Sequence, residues 1–186
     1  MWTHEVKFDG FRIQIHKDGS DVALFSRNGH DFTARYPGLA RAFSKRCSTR
    51  ACILDAELTA IDSDGHPDFG ALLIPRLDSD VCVWVFDILS LRGQDLRPLP
   101  FITRRYKLDR VMGSCGSPLI QYSEFFSNPY RLLAACGKFK LEGIVSKRLD
   151  RPYRSGRTTD WIKVKCASWR EANTWRHDFF NKRAGR

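Results

Sequence analysis

The chain has 186 residues, 42% hydrophobic and 12% aromatic, which fits one globular domain around a single core. No stretch approaches the roughly 20 apolar residues of a membrane helix, and Met1-Trp2-Thr3-His4-Glu5 lacks the basic region and apolar run of a secretory signal, so the expected location is cytoplasmic. A formal charge of +10, from 31 Lys+Arg against 21 Asp+Glu, fits a polyanionic partner or simply a well-solvated surface, and six scattered cysteines without a CxxC pair argue against a disulfide framework or a structural zinc.

Period-two alternation predicts strands over 5–8 and 11–16. Asp9-Gly10 between them carries the signature of a two-residue hairpin turn. In that register Lys7 lies opposite Arg12, a like-charge pair that makes sense around an anion such as a phosphate, or else with both charges solvated. A strand over 22–26 and a helix over 38–47 follow. The strand over 53–61 puts Asp55 and Glu57 on one face with Ile53, Thr59 and Ile61. Carboxylates on so apolar a strand need a partner, either a ribose hydroxyl, a cation or a structural salt bridge. The apolar run 81–89 is broken by Asp87 and reads as a central strand ending at a functional edge. Beside it, Phe86 is either core packing or a face on which a base stacks.

Further helices are expected over 104–112 and from Pro129, the latter with Asn128 as N-cap and Gly137 as stop. Strands over 143–148 and 161–165 come last. Glu142 stands at the start of the first, and Lys163 and Lys165 share one face of the second, where they are solvated or hold a phosphate chain. Residues 166–186 mix Trp169, Trp175, Phe179 and Phe180 with basic residues, the character of a terminal element that packs its aromatics on the body. No repeat or linker interrupts the chain. The fold class is α+β, with mainly antiparallel sheets flanked by helices.

Taken in order, Glu5-Val-Lys-Phe-Asp-Gly-Phe-Arg12, Ser26-Arg-Asn-Gly29, Leu54-Asp-Ala-Glu-Leu58, Val85-Phe-Asp87, Glu142-Gly-Ile-Val-Ser-Lys147 and Trp161-Ile-Lys-Val-Lys165 resemble the motif series of ATP-dependent DNA ligases, above all the bacterial ligase D-like branch. One such motif is weak; six in sequence make coincidence improbable. The resemblance implies the nucleotidyltransferase fold shared by DNA ligases and mRNA capping enzymes over residues 1–165. It implies a Lys7 that attacks the α-phosphate of ATP, releases pyrophosphate and holds AMP before passing it to the 5′-phosphate of a nick during repair. By match to the family's motifs, Glu5 lies by the adenine, Arg12 and Arg27 by the ribose and phosphates, Glu57 on the ribose hydroxyl and Phe86 on the adenine ring. Glu142 helps hold a divalent cation, Mg2+ or Mn2+, and Lys163 and Lys165 grip the phosphates.

The implied partners are nicked double-stranded DNA and a separate OB-fold module or end-joining repair proteins, with no membrane. The family continues after the last lysine pair into an OB-fold carrying a further basic motif; residues 166–186 form only a basic aromatic segment, so nick sealing by this chain alone is not expected. Two other readings stand beside this one. The chain is a non-catalytic module that binds nucleotide or nicked DNA, or it is a capping-type guanylyltransferase, which shares Lys-x-Asp-Gly.

Overall fold

Alternating apolar residues build two sheets that the chain crosses between at Asp9-Gly10. The computed structural model describes residues 1–62, 67–73 and 81–176. In chain order the elements are β1 (Trp2–Lys7), β2 (Phe11–Asp18), β3 (Asp21–Ser26), α1 (Pro37–Arg46), β4 (Ala51–Ala60), α2 (Phe69–Leu72), β5 (Val81–Leu91) and β6 (Gln94–Asp95). These are followed by α3 (Phe101–Met112), β7 (Ile120–Tyr122), β8 (Phe125–Phe126), α4 (Pro129–Lys138), β9 (Gly143–Arg148), β10 (Trp161–Lys165) and α5 (Ala167–Ala172). One sheet runs β3-β2-β4-β5-β6, with β7 added parallel to β5; the other is the antiparallel β10-β9-β1-β8.

The larger sheet buries the main core. Ile13 and Ile15 of β2, Leu54, Ala56 and Leu58 of β4, and Val83 and Val85 of β5 are all essentially inaccessible, covered by Leu39 and Phe43 of α1 and Leu108 of α3. Helix α4 covers the smaller sheet through Leu132 and Cys136 against Ile144. It starts as expected, with the Asn128 side chain accepting the Arg131 amide at 3.0 Å. All six cysteines are free and buried. No helix among the described residues is long and apolar enough to cross a membrane.

Two expectations are corrected. Asp9-Gly10 is not a hairpin turn: β1 and β2 lie in different sheets, Lys7 is registered with Gly143, and Arg12 with Glu57. The chain passes so close to β4 that a Cβ on Gly10 would sit 2.0 Å from the Leu58 carbonyl oxygen. The residue permits a close approach rather than a reversal. Nor does Asp87 end its strand, since β5 continues to Leu91. Its carboxylate receives the Arg104 fork, Nε to Oδ1 at 2.9 Å and Nη2 to Oδ2 at 2.8 Å, with both side chains fully buried. The pair fastens α3 to β5, a structural use of the charge.

Candidate functional site

The register of β1, β9 and β10 decides which side chains meet. Residues opposite one another on neighbouring strands share a face, and three rows result: Thr3, Lys147 and Trp161; Glu5, Val145 and Lys163; Lys7, Gly143 and Lys165. The larger sheet contributes Arg12 from β2, Glu57 from β4 and Phe86 from β5. Phe86 is skipped in the ladder, between Val85 opposite Ala56 and Asp87 opposite Asp55, a bulge that turns its ring out of the strand's alternation. Glu5, Lys7, Arg12, Glu57, Phe86 and Lys163 thereby line one slot, together with Phe8, Val145, Lys147 and Trp161. Glu142 and Lys165 line an adjoining groove that shares Lys7 and Glu57. Arg27 is exposed and lies in a third groove, with Arg12, Asp55 and Tyr153.

At the mouth, Glu142 bridges two lysines: Lys7 Nζ donates to Oε2 at 2.5 Å and Lys165 Nζ lies 2.9 Å from Oε1. Gly143 separates the two lysine strands without interposing a side chain. Its φ is +151°, and a Cβ there would lie 2.0 Å from the Val164 carbonyl oxygen. Lys163, two residues before Lys165, makes no hydrogen bond or ion pair among the described residues. Burial, followed by the cations Lys7, Arg12 and Arg27, lowers the Lys163 pKa.

The inner end is aromatic and tightly paired. Lys147 Nζ donates to Glu5 Oε2 at 2.7 Å and sits 4.5 Å from the ring centres of both Phe86 and Trp161. Burial lowers the Lys147 pKa, with Glu5 opposing it. Ser123 also donates to Glu5 Oε2, at 3.2 Å, whereas Oε1 accepts no hydrogen bond among the described residues and has Arg105 at 3.8 Å. A buried carboxylate oxygen without a hydrogen-bond donor retains the capacity to accept one.

Of the two carboxylates on β4, Asp55 takes the structural role. It receives Arg12 at 3.0 and 2.6 Å and the Tyr153 hydroxyl at 2.9 Å. Burial works against the Arg12 charge, but Asp55 outweighs it and the Arg12 pKa is raised. Glu57 has no such fork. Burial pushes its pKa up to about 7, despite the opposing charges of Lys7 and Arg12 and helped by Glu142.

Sequence reasoning passed over Lys147, Trp161 and Tyr153 as site residues. The alternation along β9 held a signal for Lys147, since it faces the same way as Val145 and Gly143. Nothing local marked Tyr153, which reaches Asp55 from 98 positions away.

The profile of the family described as ATP dependent DNA ligase domain matches residues 1–165. The multifunctional non-homologous end joining protein LigD of Pseudomonas aeruginosa is 37% identical over 169 residues, which cover 89% of this chain and 20% of that protein. A probable DNA ligase of Dictyoglomus turgidum is 34% identical, over 87% of this chain and 30% of its own length. Among solved structures, a mycobacterial DNA ligase D complexed with ATP and MES superposes with a TM-score of 0.79 at 31% identity, covering 88% of this chain and 54% of that one. The chain thus spans well under two thirds of the proteins it matches, and within that span both fold and sequence agree: it belongs to the ATP-dependent DNA ligase domain family.

Proposed function

We propose that this chain loads AMP onto Lys7 as the nucleotidyl-transferring core of a DNA ligase. One observation carries the proposal: Lys7 ends its strand at the mouth of an aromatic slot, in a row with Lys165 and beside Lys163. An amine nucleophile, a surface for a base and cations for a phosphate chain are thereby collected in one place.

Adenine lies between Phe86 and its surroundings, with Glu5 Oε1 accepting a hydrogen bond from a base nitrogen. Glu57 takes a ribose hydroxyl. Lys7 gives up one proton through Glu142 Oε2 to solvent, the free amine attacks the α-phosphorus, and the second proton that the new nitrogen–phosphorus bond acidifies leaves by the same carboxylate to solvent. A nitrogen–phosphorus bond forms, the bond from that phosphorus to the bridging oxygen breaks, and pyrophosphate departs with the electron pair. Lys163, Lys165 and Arg27 stabilise the negative charge that builds on the leaving group.

A divalent cation also fits the donor set. Glu142 offers the hard oxygens that Mg2+ or Mn2+ prefers. Among the described residues no three acidic, histidine or cysteine side chains could hold a metal by themselves, so phosphate oxygens would complete its shell. Bound there, the cation would further neutralise the phosphates.

The substrate that receives the AMP is nicked double-stranded DNA, and the cytoplasm, which holds both DNA and ATP, is the compartment. LigD relatives are multifunctional end-joining proteins, which supports end-joining proteins or a separate OB-fold module as partners. The test is incubation with α-labelled ATP and Mg2+, then a denaturing gel. Covalent label that chases off onto nicked DNA supports the proposal. Label displaced by GTP in preference to ATP would favour a guanylyltransferase, and an unlabelled chain that still binds nucleotide would favour a binding module.

A further inference from the structure

Building on the adenylyl transfer proposed above, we infer that Trp169 and Arg176 are positioning residues for that reaction, holding the ends of both lysine strands from the C-terminal side. Neither belongs to the motifs that carry the family resemblance.

Asp9 lies two residues after Lys7. Arg176 grips it with a bidentate fork, Nη1 to Oδ1 and Nη2 to Oδ2, both at 2.7 Å, and the Trp169 indole donates to Oδ2 at 3.3 Å. The pair is largely shielded, with side chains 12% and 14% accessible for Asp9 and Arg176, where a charge-assisted fork is stronger than on an open surface. The Arg176 guanidinium lies 4.3 Å from the Phe69 ring centre and 5.0 Å from that of Trp169, which limits its own freedom.

Trp169 reaches the second strand as well. Lys165 Nζ stands 4.2 Å from its ring centre while pairing with Glu142 at 2.9 Å. One indole therefore touches the carboxylate that follows the nucleophile and the ammonium that faces it across Gly143. The start of α5 is tied to the same spot, because the Cys166 amide donates to the Glu142 carbonyl at 2.9 Å. Gly10, pressed against the Leu58 carbonyl, fixes the other side of Asp9. Lys7 is thus flanked by a strand register before it and a clamped carboxylate after it. In-line attack on phosphorus is sensitive to such placement, since errors of about 1 Å in a reacting group can cost on the order of a hundredfold in rate.

The test is single-turnover labelling of Lys7 by α-labelled ATP in the full chain and in Trp169→Ala, Trp169→Phe, Arg176→Ala and Arg176→Lys, with a thermal midpoint for each. Positioning lowers the rate at saturating ATP by roughly tenfold or more in the alanine variants, with half-saturation by ATP moved much less. Trp169→Phe keeps a ring beneath Lys165 and loses the indole donor, so it recovers part of the rate. Arg176→Lys keeps charge without the fork and recovers little. Alanine variants that label within twofold of the parent overturn the inference, whatever their thermal midpoints. So do rates in the whole series that simply follow the fraction folded. A parent that takes up no label sinks the adenylyl transfer and, with it, this inference; a labelled parent with indifferent variants sinks the inference alone.

Discussion

Two acidic residues from the motif series meet basic partners in opposite settings. Asp87 and Arg104 are fully buried and close on each other: two fork contacts, a third hydrogen bond from the Ile88 amide at 2.9 Å, and Arg104 Nη1 on the Leu99 carbonyl at 2.6 Å. Glu142 is nearly as buried, yet its lysines stay accessible, Lys7 at 18% and Lys165 at 39%. The first arrangement uses up its donors and acceptors on the protein. In the second, one carboxylate serves two ammonium groups that retain donors for another anion. Burial of a charge does not by itself distinguish scaffold from chemistry; what distinguishes them is whether the partner has capacity left.

The largest effect should come from Lys7→Ala, which is expected to abolish covalent labelling while leaving the thermal midpoint close to that of the parent. Labelling equal to the parent would remove Lys7 as nucleophile. Next comes the scaffold side: Arg104→Leu leaves Asp87 buried and alone and is expected to cost about 3–5 kcal/mol in urea unfolding. A cost below about 1 kcal/mol would mean that the buried fork is not a fastening. Replacing both members with apolar residues should recover much of the loss.

Glu142→Gln sharpens the contrast, because labelling should fall roughly a hundredfold, the scale of a lost proton acceptor, while unfolding changes by about 1 kcal/mol or less since its partners can turn to water. A variant that loses stability but labels normally would make Glu142 scaffold too. The last effect is read only against pH and concerns Glu57. Its folded pKa of about 7 lies above its ordinary 4.5, so it favours the folded state at low pH, and that contribution disappears as pH rises from about 4.5 through about 7. Glu57→Gln should flatten this decline, which a shift of this size puts at about 3 kcal/mol. Identical pH profiles of unfolding for the variant and the parent would remove Glu57 as its source.

Much of this was readable from residues alone. The main strands and the Asn128-capped helix follow from short-range periodicity and local hydrogen bonding. Glu5, Lys7 and Lys163 converge because they sit on strands whose alternation fixes their faces, whereas Phe86 reaches the slot through a bulge and Arg27 lies past the end of β3 in a neighbouring groove. What failed was pairing over distance. Asp9-Gly10 between two alternating segments is a strong local hairpin signal, but the partner of β1 is β9, so that Lys7 meets Gly143 far along the chain. Asp87 looked like a strand terminus because its partner, Arg104, lies on a helix 17 positions later. The three-residue β7 and two-residue β8 are too short to show a period. The Trp169 and Arg176 clamp on Asp9 depends on tertiary placement, which composition does not encode.

Gly143 puts an unusual limit on how this protein can drift. Chemical groups in the site have substitutes of a kind: a carboxylate can be exchanged for an amide, a lysine for an arginine, and the result graded by rate. At position 143 the requirement is the absence of an atom, since the first carbon of any side chain would press into the Val164 carbonyl and wedge apart the strands on which Lys7 and Lys165 stand. No intermediate size exists between hydrogen and methyl, so a lineage reaching another sequence here has no gradual route and must reshape the ladder in one step.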